Sequence, residues 1–127
     1  MSTAFTIISL VGAITWYGGS AFEGRPLSCG GTYSAQEPWI AIDPFLRHQG
    51  WECGQRVELT FSGGEVMVAR VLDTGYLTSH YVEDFGPQYP IIADVGAPYW
   101  PLEGVMSDVG VIINLDLMQK EGAVLLP

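Results

Sequence analysis

Short apolar, β-rich runs, a glycine hairpin signal between two of them and the lack of sustained helical periodicity predict an all-β fold of barrel or sandwich type. The 127 residues leave room for one domain, residues 1–127, because ordinary domains run about 100 to 150 residues. Apolar residues at 48% against 15% charged exclude disorder for most of the chain. With 16 Gly and 8 Pro the sequence is rich in turns, as many short strands require.

Taken in order, the first strand is expected within Met1–Tyr17, where Phe5, Thr6, Ile7, Ile8, Val11, Ile14, Thr15 and Trp16 are nearly all β-formers. This stretch lacks the basic n-region of a secretory signal, so it is read as structure. Trp39–Ile42 is the second strand. Arg56–Phe61 alternates polar and apolar residues, which sends one face inward and one outward. Ser62-Gly63-Gly64 then turns the chain into a fourth strand, Glu65–Leu72. Leu72 to Pro90 is polar, aromatic and rich in Gly and Pro; its length favours a surface loop with a functional role. Pro90–Ala93 and Val109–Leu115 complete six strands, and one short helix, limited by Pro98 and Pro101, is expected within Val95–Leu102.

Charge narrows the partners. Five Lys+Arg against 14 Asp+Glu, a net of −9, disfavours nucleic acid and anionic membrane surfaces, and no apolar run is long enough to span a bilayer. Neutral or cationic ligands fit better. No C-x-x-C pair is present and His48 and His80 have no ligand-spaced partners, so neither a metal nor another cofactor is expected. A serine nucleophile elbow is also absent. Cys29 and Cys53, each followed by Gly, either close one disulfide, worth about 3 kcal/mol, or stand as separate buried thiols.

Several motifs carry a resemblance. Thr15-Trp16-Tyr17-Gly18 looks like the T-W-Y-G opening of expansins and of the rare lipoprotein A group. Phe22-Glu23-Gly24-Arg25 with Ser28-Cys29-Gly30 resembles the segment that follows in that group, and the Cys-Gly resembles the A-C-G of expansins. Val68–Gly75 is similar to the V-x-R-V-x-D-x-G strand end, and Asp94–Ala97 through Leu102–Gly104 to the D-L-S-x-x-A…L-G segment. The order holds over Ile14 to Leu115. Ala41-Ile42-Asp43-Pro44 is similar to the A-x-D-P of the three-aspartate domains in MltA-type lytic transglycosylases.

The resemblance implies a six-stranded double-psi β-barrel with long loops and at most short helices, in which Asp73 and Asp94 share a groove with Asp43 at its edge. The Cys-Gly settings of Cys29 and Cys53 before successive barrel segments suggest that the two are close enough to bond. Three aspartates held together suit glycan cleavage, because like charges kept close cannot all ionise and one carboxyl stays protonated as an acid. Thr15, Trp16, Tyr17, Tyr99 and Trp100 are expected to bind substrate, since pyranose C–H faces stack on aromatic planes. Trp39 and Trp51 are expected in the core, and Glu37, Glu83 and Asp84 as solvated charge.

Two functions follow. One is lytic transglycosylase-like cleavage of peptidoglycan outside the cell or in its envelope, by a monomer. The other is an expansin-like module that binds and loosens polysaccharide without cutting, or a phage or structural protein keeping only the fold. The A-x-D-P match favours cleavage. Gly31, where the rare lipoprotein A group has a glutamate, favours the alternative; Asp43 stands where that group has its catalytic histidine.

Overall fold

Residues 7–18, 26–30, 37–75, 81–82 and 89–120 are described in a computed structural model of the chain. The elements run β1 (Ser9–Tyr17), β2 (Trp39–Ile42), α1 (Pro44–His48), β3 (Arg56–Phe61), β4 (Val66–Thr74), β5 (Tyr81–Val82), β6 (Tyr89–Gly96), a 3-10 turn (Ala97–Tyr99), β7 (Ser107–Asn114) and α2 (Leu115–Lys120). The all-β expectation holds, with helices confined to one or two turns each.

β1 pairs antiparallel with β7, β7 with β3, and β3 with β4 through the predicted Ser62–Gly64 hairpin. β4 then pairs parallel with β2, β2 antiparallel with β6, and β6 parallel with β1. The pairings of these six strands therefore return to their starting point, and β5 hangs on β6 outside the circuit.

Period-2 alternation decides what fills the interior. Val57, Leu59 and Phe61 of β3, Ile112 of β7, Ile14 of β1, Val71 of β4 and Val95 of β6 form one buried cluster with Ile40 and Ile42. Leu46 of α1, Trp51 and Leu117 of α2 pack against it. Two glycines permit the tight seam: Gly12 faces Gly110 across β1 and β7, and a Cβ on Gly110 would stand 2.4 Å from the carbonyl oxygen of Thr60. Polar side chains secure the corners. Asp108 accepts from Ser62 N at 2.9 Å and Ser62 Oγ at 2.6 Å, while Asp116 accepts from Arg56 N, Nε and Nη2.

Several boundaries differ from the sequence reading. The expected helix within Val95–Leu102 shrinks to the 3-10 turn, because Val95 and Gly96 stay in β6, paired with Trp16 and Tyr17. The last strand begins at Ser107 and ends at Asn114; Leu115, read as strand, opens α2, where Asn114 Oδ1 accepts from Leu117 N. The expected loop from Leu72 to Pro90 is shorter, since β4 continues to Thr74 and β6 begins at Tyr89. Phe5, Thr6, the Phe22–Arg25 motif, Gly31, His80, Glu83 and Asp84 lie outside the described residues.

Candidate acidic site on the outer sheet face

Four adjacent strands each contribute one residue to a single row. Asp73 of β4 is opposite Ala41 of β2, Ala41 is also opposite Asp94 of β6, and Asp94 is opposite Thr15 of β1. Two irregularities in register produce this row. Between Ile40/Val71 and Ala41/Asp73 the β4 strand carries one extra residue, Leu72; between Ala13/Ile91 and Ile14/Ala93 the β6 strand carries Ile92. A bulge shifts which face the following residues occupy, so Asp73 joins the outer face with Ala41. Without Leu72, strict alternation would turn its carboxylate inward.

The backbones of the two aspartates lie two strand spacings apart, about 10 Å across the sheet. Their surroundings differ. Asp73 is held on both oxygens: Oδ2 accepts from Tyr17 OH, and Oδ1 accepts from Ser28 N at 2.9 Å. Ser28 Oγ donates to Thr74 Oγ1 at 2.9 Å, fixing the segment beside the end of β4. Asp94 accepts on Oδ1 from Thr15 Oγ1 at 2.7 Å, and among the described residues nothing donates to its other oxygen. Burial pushes the Asp94 carboxyl up to about 6, against the Thr15 hydrogen bond that lowers it and with the Asp73 charge that raises it further.

A small aromatic cluster adjoins the row on the same face. Tyr17 meets Trp39 edge-on with ring centroids 5.3 Å apart, and Leu27, Leu72 and Tyr99 pack around them. The Tyr99 hydroxyl is buried and, among the described residues, makes no hydrogen bond; burial and the Glu37 charge raise its phenol above the ordinary range. Glu37 in turn approaches Arg70 at 3.6 Å.

The other expected residues take the following places. Asp43 is buried just past β2, where Oδ1 accepts from Phe45 N at 2.9 Å and caps α1. Trp16 and Trp100 do not flank the aspartates. They line a separate pocket of about 390 Å³ with Leu102, Val105 and Met106, Trp100 standing edge-on to Phe61 and donating Nε1 to the Val105 carbonyl. Trp16 and Tyr17 are consecutive on a strand, so they serve opposite faces. Trp39 and Trp51 are buried as expected, although Trp39 belongs to the outer cluster and Trp51 to the main core. Cys29 and Cys53 form a disulfide with Cα atoms 5.5 Å apart.

Sequence reasoning did not assign Ser28 and Thr74 to the site, though both fall within the Ser28-Cys29-Gly30 and Val68–Gly75 motifs. Among the described residues no group of His, Cys, Asp or Glu is arranged to hold a metal ion, and no helix is long and apolar enough to cross a membrane. Comparison with protein-family models gives no match, and comparison with curated proteins gives none either.

Proposed function

We propose that the chain is a double-psi β-barrel of the rare lipoprotein A and expansin type, cutting peptidoglycan by lytic transglycosylase-like chemistry with Asp94 as proton donor. One observation carries the reading: a half-buried carboxyl, held near 6 beside a second aspartate, with one oxygen turned to no donor among the described residues. The closed circuit of six strands, including the parallel pairs β1–β6 and β2–β4, supports the barrel. The disulfide fits an oxidising compartment such as the cell envelope.

In the proposed step the Asp94 carboxyl gives its proton to the glycosidic oxygen as the bond from that oxygen to the anomeric carbon breaks. The bonding pair leaves with the oxygen. A hydroxyl of the same sugar then attacks the anomeric carbon and returns its proton to Asp94, so one carboxyl acts as acid and then as base. Thr15 orients Asp94, and the Asp73 carboxylate, fixed by Tyr17 and Ser28, faces the cationic sugar centre. Incubation of purified murein sacculi with the protein at about pH 5 is expected to release fragments with anhydro-sugar ends, found by mass spectrometry. Asp94→Asn should abolish release while leaving the fold intact.

One observation favours the non-cutting alternative. Both oxygens of Asp73 are engaged within the protein, which suits a brace as well as a charge stabiliser. Retention of wild type on murein or cellulose with no soluble fragment at any pH would establish the binding module and refute cleavage.

A further inference from the structure

Arg47, in the last turn of α1, places Nη1 3.2 Å from Cys29 Sγ and 3.0 Å from Cys53 Sγ. No carboxylate among the described residues forms an ion pair with it. A disulfide sulfur is a weak neutral acceptor, whereas a thiolate is an anion, so a guanidinium touching both sulfurs favours the reduced, ionised pair over the bridge. Cys53 is exposed and Cys29 only half-buried, which leaves the outer sulfur open to attack. Each cysteine also lies on a segment hydrogen-bonded to β4: Cys29 N donates to the Leu72 carbonyl at 3.0 Å, and Gly54 N to the Val71 carbonyl at 2.7 Å. The residue before Cys29 is Ser28, whose N–H holds Asp73.

We propose that the Cys29–Cys53 bridge is a switch, reducible by a dithiol, that controls how firmly the 26–30 segment clamps Asp73. The proposal rests on the acidic row being the working site. The thiolate of a dithiol attacks Cys53 Sγ, the S–S bond breaks, and Cys29 leaves as a thiolate beside Arg47. The second thiol of the reagent then attacks its own sulfur in the mixed disulfide and expels the Cys53 thiolate. Two electrons pass to the cysteines, the reagent becomes a disulfide, and its two protons go to solvent or to the thiolates. Freed from the cross-link, the segment keeps only Leu27 in the outer cluster and its few hydrogen bonds, so the donor on Asp73 Oδ1 opens more often.

The test follows reduction of the folded protein by dithiothreitol and, separately, amide hydrogen exchange before and after reduction. Arg47→Gln is expected to slow reduction about tenfold, and Arg47→Lys, which keeps a cation, to recover most of the rate. The Ser28 and Cys29 amides of the wild type should exchange about tenfold faster once reduced, with β3 and β7 unchanged. Reduction of Arg47→Gln at the wild-type rate, or unaltered exchange at Ser28 and Cys29, would overturn the switch; the exchange arm needs no variant. On murein, fragment release should fall severalfold on reduction and return on reoxidation. Equal release in both states refutes the switch and leaves the cleaving reading standing. No release in either state refutes cleavage, and the thiol and exchange measurements still decide the switch.

Discussion

Asp94 ties the acidic row to stability as well as to chemistry. Its carboxyl is raised to about 6 in the folded chain from an ordinary value of 3.8, so the native state binds the proton more tightly than the unfolded chain does. The resulting stabilisation is fully present below about pH 4 and is lost as pH rises through about 6, at most about 3 kcal/mol for a group partly open to water. Urea unfolding at about pH 4 and about pH 8 should show that fall, and Asp94→Asn, which keeps an acceptor for Thr15, should remove this component and be the more stable protein at the higher pH. Tyr17→Phe keeps the ring against Trp39 but strips the donor from Asp73 Oδ2; a loss of about 1–2 kcal/mol by denaturant titration is expected. At this scale the two aspartates and Thr15 were legible because their motifs stand at strand ends. The grouping of Trp16 with them was not, because a motif keeps neighbours together while a pleated strand sends them apart.

Elements were readable where local pattern and pairing agree. Arg56–Phe61 and Trp39–Ile42 match their strands residue for residue, since strict alternation and an unbroken apolar run each admit one interpretation. α1 escaped notice because Asp43-Pro44 reads equally as a turn; what makes it a helix is the Asp43 cap over Phe45 N together with Leu46 reaching the core. Asp43→Ala should therefore cost about 1 kcal/mol, seen as a lowered urea midpoint. The bulges at Leu72 and Ile92 left no sign in the sequence, because register is settled between strands. The Gly12–Gly110 seam depends on close backbone approach. Gly110→Ala, whose methyl would meet Thr60 backbone, is expected to lose about 3 kcal/mol or more, or to stop the protein accumulating in soluble form.

For the molecule as a whole, a 24-residue separation between Cys29 and Cys53 makes their bond a substantial restraint on the unfolded chain. Replacing both by serine should lower unfolding free energy by about 3 kcal/mol, measured against the oxidised wild type. The circuit of strands also has a consequence in time. β1 is joined on one side to β7 and on the other to β6, and Thr15 meets Asp94 across 79 positions. During synthesis, then, β1 leaves the ribosome long before either neighbour exists, and the Asp94 carboxyl meets ordinary solvent until both have emerged and docked. Contacts this distant in sequence form late and slowly. The raised proton affinity of that carboxyl is thus a property of the closed ring, and titration of Asp94 followed by NMR reports whether the ring has closed.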